Sequence, residues 1–434
     1  MTYDETLEFL FNQLPAYHRV GAAAYKANLD NTEAMMRHLG HPERAFQAIH
    51  IAGTNGKGSV SHMLAAILHR AGLRVGLYTS PHLVDFRERI RIDGQMIDKE
   101  SVVRFVEQNK PFFLEHELSF FEMTVGLAFD YFSRQHVDIA VVEVGMGGRL
   151  DSTNVVLPRL CVITNIGFDH TQFLGDTLPK IAGEKAGIIK AGVPVVIGQT
   201  QSETEPVFRQ RAAAVGAPLT FADQHFEVKT VASQPDGLHV DIERDGQPYA
   251  HDVCCQLGGI YQLKNLATLC GAVEELRRQG MSIDDDAFRK GLASVISDSG
   301  LRGRWQQVDS SPTTICETAH NADGIAELLR GLSTMRYRRL HLVYGCVGDK
   351  DYGHILEMLP QDACYYYTRP SVPRGLDETV LAAAGREHGR AGETFADVMS
   401  ALAAARAAAD KDDLVVVTGS IFLVADLLAQ IDNR

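Results

Sequence analysis

With 434 residues, 45% of them apolar, and a net charge of −13, the chain has material for two cored domains and little attraction for nucleic acid or an anionic membrane. Seven cysteines, an odd number without CxxC or Cys/His spacing, point to reduced thiols rather than a disulfide frame or a zinc site. The acidic start MTYDETLEFL lacks a signal-peptide profile, and no apolar run reaches the ~20 residues of a bilayer span, so a cytoplasmic protein without a membrane segment is expected.

Asp4–Leu14 and Asn31–Leu39 read as short amphipathic helices. The apolar strand Phe46–Ile51 then runs into Gly53-Thr54-Asn55-Gly56-Lys57-Gly58-Ser59, followed by a helix over Ser59–Arg70. Strand, glycine loop and helix in this order cradle a phosphate chain. Backbone N–H groups converge, the helix N-terminus adds positive potential, and the lysine meets the outer phosphates. A nucleoside triphosphate is therefore the expected ligand. An ordinary P-loop carries its magnesium-binding Ser or Thr directly after the lysine. Here Gly58 intervenes, so metal ligands are expected elsewhere.

Arg74–Tyr78 is a strand, stopped at Thr79-Ser80-Pro81-His82 by proline. Ile90–Ile97 alternates around Asp93-Gly94, a hairpin signal. Helices over Lys99–Glu115 and Phe120–Arg134 precede strands Asp138–Val144, Leu160–Ile166 and Pro194–Ile197, with a helix near Leu178–Ile189. Short apolar strands alternating with helices indicate a parallel sheet covered on both faces. Phe226–Cys255 is polar, alternating and carries Asp-Gly twice, which predicts a small antiparallel elaboration. Helices follow over Tyr261–Gln279 and Asp284–Val295, and Ser297–Gly300 reads as a linker. Beyond it the rhythm restarts with strands Thr313–Cys316, Leu340–Tyr344, Ala363–Tyr367 and Leu414–Thr418 and an Ala-rich helix Val398–Ala409. The expected fold class is α/β: a P-loop parallel-sheet domain with an antiparallel elaboration over 1–297, and a smaller α/β domain over 298–434.

Open α/β sheets hold ligands at strand carboxyl ends, where three candidates stand. Ser80 lies in the Ser-Pro-His turn. Glu143 closes an apolar strand, as a Walker B acid does, and a buried acid needs a cation. His170 follows the next strand in Thr164-Asn165-Ile166-Gly167-Phe168-Asp169-His170; taken alone it reads as a hydrogen-bonded loop residue sooner than as a ligand, and its place beside two other strand ends brings the two readings level. Gly145-Met146-Gly147-Gly148-Arg149-Leu150-Asp151 directly after Glu143 suggests close backbone approach to a ligand. Lys185, on a helix, reads by spacing alone as solvated surface.

Taken together, GTNGKGS, TSPHL followed by RERI, VEVGMGGRLDSTN, TNIGFDHTQFLG, GEKAGI, YQLKNLA, GR-W and TGS resemble the folylpolyglutamate synthase and dihydrofolate synthase family of the Mur ligases, in order along nearly the whole chain. The resemblance implies a Mur ligase-like fold and an ATP-dependent ligase that joins L-glutamate to dihydropteroate or to a reduced folate, as a monomer. It implies that Gly53, Thr54, Asn55, Gly56, Lys57, Gly58 and Ser59 hold ATP, and that Ser80, Glu143 and His170 bind magnesium. A second magnesium is implied at Lys185, carried as a carbamate. Lys57, His170 and Lys185 form the implied catalytic set. Asn265 and Arg304 correspond to adenine- and ribose-side contacts. The family's Asp-x-x-His-Asn, near nucleotide and glutamate, falls on Glu317-Thr318-Ala319-His320-Asn321, and Ser420 matches a serine associated with glutamate. Two positions depart: Glu317 stands where the family shows Asp, and Ala322 where it shows Pro. The peptidoglycan-precursor branch carries a UDP-binding domain ahead of the P-loop; fifty-two residues precede Gly53 here, so that branch is not expected. A P-loop kinase or NTPase would leave Arg304, Glu317, His320 and Asn321 unexplained.

Overall fold

The computed structural model describes residues 1–12, 28–234, 237–348 and 351–433. Two compact units emerge. The first comprises Met1–His82, Phe86–Gln256 and Gln262–Leu301; the second comprises Leu83–Asp85, Leu257–Tyr261 and Arg302–Arg434.

The first unit is built on eight strands: β1 (Gln47–Ala52), β2 (Val75–Tyr78), β3 (Ile90–Ile92), β4 (Gln95–Met96), β5 (Ile139–Glu143), β6 (Leu160–Ile163), β7 (Val195–Ile197) and β8 (Leu219–Phe221). They lie in the order β4-β3-β2-β5-β1-β6-β7-β8. All are parallel except the β3–β4 hairpin on the edge, which turns at the expected Asp93-Gly94. The central strands are buried along their length, which explains their near-continuous apolar sequence. One face is covered by helices Asp30–His38, Lys99–Glu115 and Phe120–Arg134, whose Met35, Phe113, Phe129 and Phe132 are fully buried. Ser119 and Glu122 form a capping box that starts the last of these helices. The helix Lys57–Arg70 is buried on every side from Ser59 to Leu68. Helix Asp285–Ala293 lies against it so closely that a Cβ on Gly291 would stand 2.6 Å from the Ile67 Cα.

Three long strands, β9 (Phe226–Gln234), β10 (Gly237–Arg244) and β11 (Gln247–Cys255), make the expected antiparallel elaboration. The first of its two Asp-Gly pairs has its Asp236, and the first predicted helix has its residues 13 and 14, outside the described residues. All seven cysteines are free thiols. Among the described residues no helix is long and apolar enough to cross a membrane.

The segment expected as a linker, Ser297–Gly300, lies just before the chain passes from the first unit to the second after Leu301, and it is ordered rather than extended. Val295–Ser299 is a short helix ended by Gly300 in the left-handed conformation. Asp298 takes Arg70 in two hydrogen bonds, at 2.5 and 2.8 Å, and Ser299 Oγ lies 2.8 Å from His62 Nδ1. Small polar residues that read as flexible are in fact partners of the P-loop helix.

The second unit holds β12 (Gln306–Ser310), β13 (Thr313–Cys316), β14 (Leu340–Tyr344), β15 (Cys364–Tyr367), β16 (Gly392–Thr394) and β17 (Leu414–Thr418), in the order β12-β13-β17-β14-β15-β16. Only β12 is antiparallel to its neighbour. Both sheets thus present parallel carboxyl ends, where ligands bind in such folds.

Candidate active site

The register of the first sheet aligns four strand ends. Tyr78 sits opposite Val142, Ile51 opposite Glu143, and Ala52 opposite Ile163. Gly53 leaves β1 at φ 148°, and a Cβ there would fall 1.9 Å from Thr164 Oγ1, so only glycine fits. The loop is then pinned to the segment after β6. Thr54 N donates to Asn165 O (3.0 Å) and Asn55 N to Asn165 Oδ1 (2.9 Å), while Thr164 Oγ1 donates to Asn55 O (2.6 Å). Gly167 N donates to Thr54 Oγ1 at 2.9 Å. Two loop N–H groups are therefore spent on Asn165. The phosphate seat falls to the N–H groups at the start of helix Lys57–Arg70, which have no partner inside the helix. Gly58 and Ser59 belong to that first turn.

Gly56, at φ 84°, faces Asn265: a Cβ there would meet Asn265 Oδ1 at 2.3 Å. Asn265 Nδ2 donates to Gln262 Oε1 (2.7 Å), and Gln262 Nε2 to the buried Ser59 Oγ (3.3 Å). The candidate adenine-side residue thus stands beside the loop. Lys57 Nζ folds back to donate to Gly53 O (3.0 Å) and Thr54 O (3.2 Å).

Ser80 and Glu143 come together: Ser80 N donates to Glu143 Oε2 at 3.4 Å, and Glu143 is buried. His170 has φ 51° and precedes the short helix Thr171–Leu174. Its N–H donates to Asp169 Oδ1 (2.9 Å), and its ring Nε2 lies 3.8 Å from Asp169 Oδ2.

Lys185 corrects the solvated-surface reading. It is only 4% exposed on helix Leu178–Ala186. Burial, then the nearby Lys57 ammonium, pull its pKa down to about 7, against the opposing pull of Asp169 and Asp151. The glycine loop after Glu143 lies directly on this helix. A Cβ on Gly148 would come within 2.9 Å of Glu184 O and 3.1 Å of Lys185 Cα, and Arg149 N donates to Glu184 O at 2.8 Å. Spacing misses that the helix carrying Lys185 packs against this loop, which the Glu184 carbonyl anchors. Asp151 is buried and accepts from Met146 N (2.9 Å), Thr153 N (3.0 Å) and Thr153 Oγ1 (2.5 Å). Thr153 Oγ1 donates to Asp151, so it accepts from His50 Nε2–H at 2.8 Å. Burial holds His50 neutral, its pKa lowered to about 3. Asp151, Thr153 and Asp169 all lie inside motifs already noticed; His50 carries no sequence signal.

In the second unit, β13 ends at Cys316 and the chain continues through Glu317 to Asn321. Asn321 caps helix Ala322–Leu332, accepting from Gly324 N at 2.8 Å. His320 Nδ1 lies 2.9 Å from Thr318 O, which makes it the protonated nitrogen. At the neighbouring β17, Thr418 Oγ1 donates to Glu317 O (2.8 Å) and Gly419 N to Ala319 O (3.2 Å). Ser420 caps helix Ile421–Asp432 through Phe422 N at 3.1 Å. His320, Asn321 and Ser420 therefore gather at two adjacent strand ends. Glu317 is buried; its Oε2 accepts from Tyr261 Oη (2.6 Å) and Trp305 N (2.8 Å). Arg304 lies half-buried between Gly303 and Trp305.

Among the described residues no three His, Cys, Asp or Glu side chains gather as a metal cluster. The donor set at the strand ends still suits magnesium. That ion takes few protein carboxylates and completes its shell with water and phosphate oxygens, and the buried Glu143 carboxylate is a group of that kind.

The Mur ligase middle domain family matches residues 51–273, and the Mur ligase glutamate ligase domain family matches residues 303–421. A Bacillus subtilis protein named dihydrofolate synthase/folylpolyglutamate synthase is 34% identical, over 93% of this chain and 94% of that protein. The chain belongs to the folylpolyglutamate synthase/dihydrofolate synthase family. A Haloferax volcanii member, named a probable bifunctional folylpolyglutamate synthase/dihydropteroate synthase, is 37% identical over 98% of this chain. The chain spans about half of that relative, 50% of its length. A solved bifunctional folylpolyglutamate synthase/dihydrofolate synthase with Mn, AMPPNP and L-glutamate bound is 29% identical, with a TM-score of 0.85. That comparison covers 100% of this chain and 98% of the other. The family assignment accounts for both sheets, since one family domain lies on each.

Proposed function

We propose that the chain is an ATP-dependent amide ligase that joins L-glutamate to dihydropteroate and to the γ-carboxylate of tetrahydrofolate polyglutamates, releasing ADP and phosphate. The observation that carries this reading is the convergence, on one sheet edge, of a glycine phosphate cradle, the Ser80–Glu143 pair and a buried lysine held near neutrality. The names of relatives that match along most of the chain supply the substrate class.

A carboxylate resists amines because its carbonyl is unactivated. ATP overcomes this: the bond from its γ-phosphorus to ADP breaks, and a new bond to the acceptor carboxylate gives an acyl phosphate. The glutamate amine, as its free base, attacks the acyl carbon; phosphate leaves, and the nitrogen sheds its proton to solvent. Lys57 contributes by releasing its two backbone carbonyls and placing its ammonium against phosphate oxygens, where charge shifts during transfer. The N–H groups at the helix start and the loop glycines hold the chain of phosphates in line. Ser80, Glu143, His170 and Lys185 would hold magnesium, which when bound supplies positive charge against the transferring phosphoryl group. Only a neutral amine adds to carbon dioxide, and a pKa of about 7 keeps much of Lys185 neutral at neutral pH. Carbamylation would also turn a repulsive neighbour of Lys57 into an attractive one. Asn265 and Arg304 serve the adenine and ribose side, and His320, Asn321 and Ser420 serve glutamate. A monomer in the cytoplasm completes the proposal; the free thiols support the reducing compartment.

The test is phosphate release from Mg-ATP with L-glutamate, comparing dihydropteroate and tetrahydrofolate. Turnover with both is expected. Turnover with tetrahydrofolate alone reduces the chain to a monofunctional folylpolyglutamate synthase. AMPPNP binding without turnover on either acceptor overturns the substrate assignment.

A further inference from the structure

The pairing of Glu317 with Tyr261 and Trp305 has no counterpart in the roles assigned so far. The backbone on each side of Arg304 is tied to one of two successive residues, Thr318 before it and Glu317 after it. Before it, Gly303 O accepts from Thr318 N at 3.2 Å; after it, Trp305 N donates to Glu317 Oε2 at 2.8 Å. Both flanking residues adopt the left-handed region, Gly303 at φ 72° and Trp305 at φ 47°. A non-glycine residue there needs a partner to hold it, and Glu317 supplies one. The same oxygen takes Tyr261 Oη at 2.6 Å, which binds the separate segment Leu257–Tyr261 to this corner. The Trp305 ring fits where two glycines leave room: a Cβ on Gly258 would come within 2.6 Å of it, and one on Gly331 within 2.5 Å. Two donors already occupy one oxygen of a buried carboxylate, so its geometry is set by the protein rather than by a ligand.

We propose that Glu317 is a positioning residue that presents Arg304 to the nucleotide, with Tyr261 as its second anchor, and is not itself a nucleotide contact. The idea rests on the ATP-dependent reading above.

The experiment is a double-mutant cycle read by AMPPNP calorimetry and steady-state kinetics with Mg-ATP. Glu317→Gln should weaken AMPPNP binding and raise KM for ATP about 10-fold, with kcat within about twofold. Tyr261→Phe, which leaves the carboxylate in place, should raise KM about threefold. In an Arg304→Ala background, Glu317→Gln should then add less than about twofold, because it acts through Arg304. Multiplication of the two full effects would show that Glu317 touches nucleotide directly and would overturn the proposal. Trp305 is the only tryptophan in the chain, so its emission reads the corner without nucleotide. A shift in Glu317→Gln and in Tyr261→Phe is expected in the nucleotide-free protein, and an unchanged spectrum in both also overturns it. That optical readout separates a failure of this idea from a failure of ATP binding itself.

Discussion

The two sheets place their polar residues at the same kind of edge but employ them differently. In the first unit, Lys57 rests on two carbonyls of its own loop, and Lys185 is a buried amine whose charged form burial disfavours. In the second unit, Asn321 and Ser420 are helix caps as well as candidate ligands, and Glu317 ties three segments. Chemistry is separable from folding at the first edge and entangled with it at the second. Substitution should therefore give function-only losses in one unit and mixed losses in the other.

The largest expected effect is at Lys57. Lys57→Ala should lower turnover by about 10³-fold or more while leaving the thermal midpoint within a few degrees; a collapse of the midpoint would erase the contrast. Lys185→Met should go further and split the two properties. Removing a buried amine whose charged form is disfavoured should raise stability by about 1–3 kcal/mol and cost about 10²-fold in activity. A variant that keeps full activity, with an intact mass of the native protein unaltered by bicarbonate, would sink the carbamate.

His50 sharpens the comparison through pH. Its pKa is about 3 in the fold against 6.5 for the free side chain. Between those values the unfolded chain takes up a proton that the folded one refuses. Stability is complete above about pH 6.5 and is lost progressively as pH falls toward 3, by roughly 2–3 kcal/mol at pH 4.5. Urea midpoints of the parent and His50→Gln at the two pH values check this; the variant should lose less on acidification. An equal loss in both would acquit the histidine.

The smallest effects separate cap from ligand. Ser420→Ala should cost about 1 kcal/mol through the lost cap, whereas Ser420→Gly should cost only a few tenths. Both remove the hydroxyl, so an equal rise in KM for glutamate in the two variants assigns that rise to binding. A rise confined to Ser420→Ala would make the serine purely structural.

Local grammar explains what could be read from the chain. The loop at Gly53–Ser59, the hairpin at Asp93-Gly94 and the buried strands around Glu143 announce themselves through glycine placement and unbroken apolar runs. Short strands such as β8, β12 and β16 carry three to five residues of mixed polarity and leave no such trace. Ser297–Gly300 misleads because small polar residues serve equally as linkers and as partners. The deepest gaps are long-range: Glu317 finds Tyr261 across 56 residues, and His50 finds Thr153 across 103. No periodicity encodes such meetings; only the packed sheet brings them about. Lys185 illustrates the same point, since it is buried on a helix against which a glycine loop from elsewhere in the chain packs.

The folded-back Lys57 has a consequence for discrimination. Its ammonium donates to two neutral carbonyls of its own loop, Gly53 O and Thr54 O, so a phosphate that takes it must replace both contacts. A stray monovalent anion offers it little reason to move. A triphosphate, bringing several charged oxygens at once to the helix start and the lysine together, does. By that arithmetic the loop should favour a ligand that brings several charged oxygens over an anion that brings a single charge.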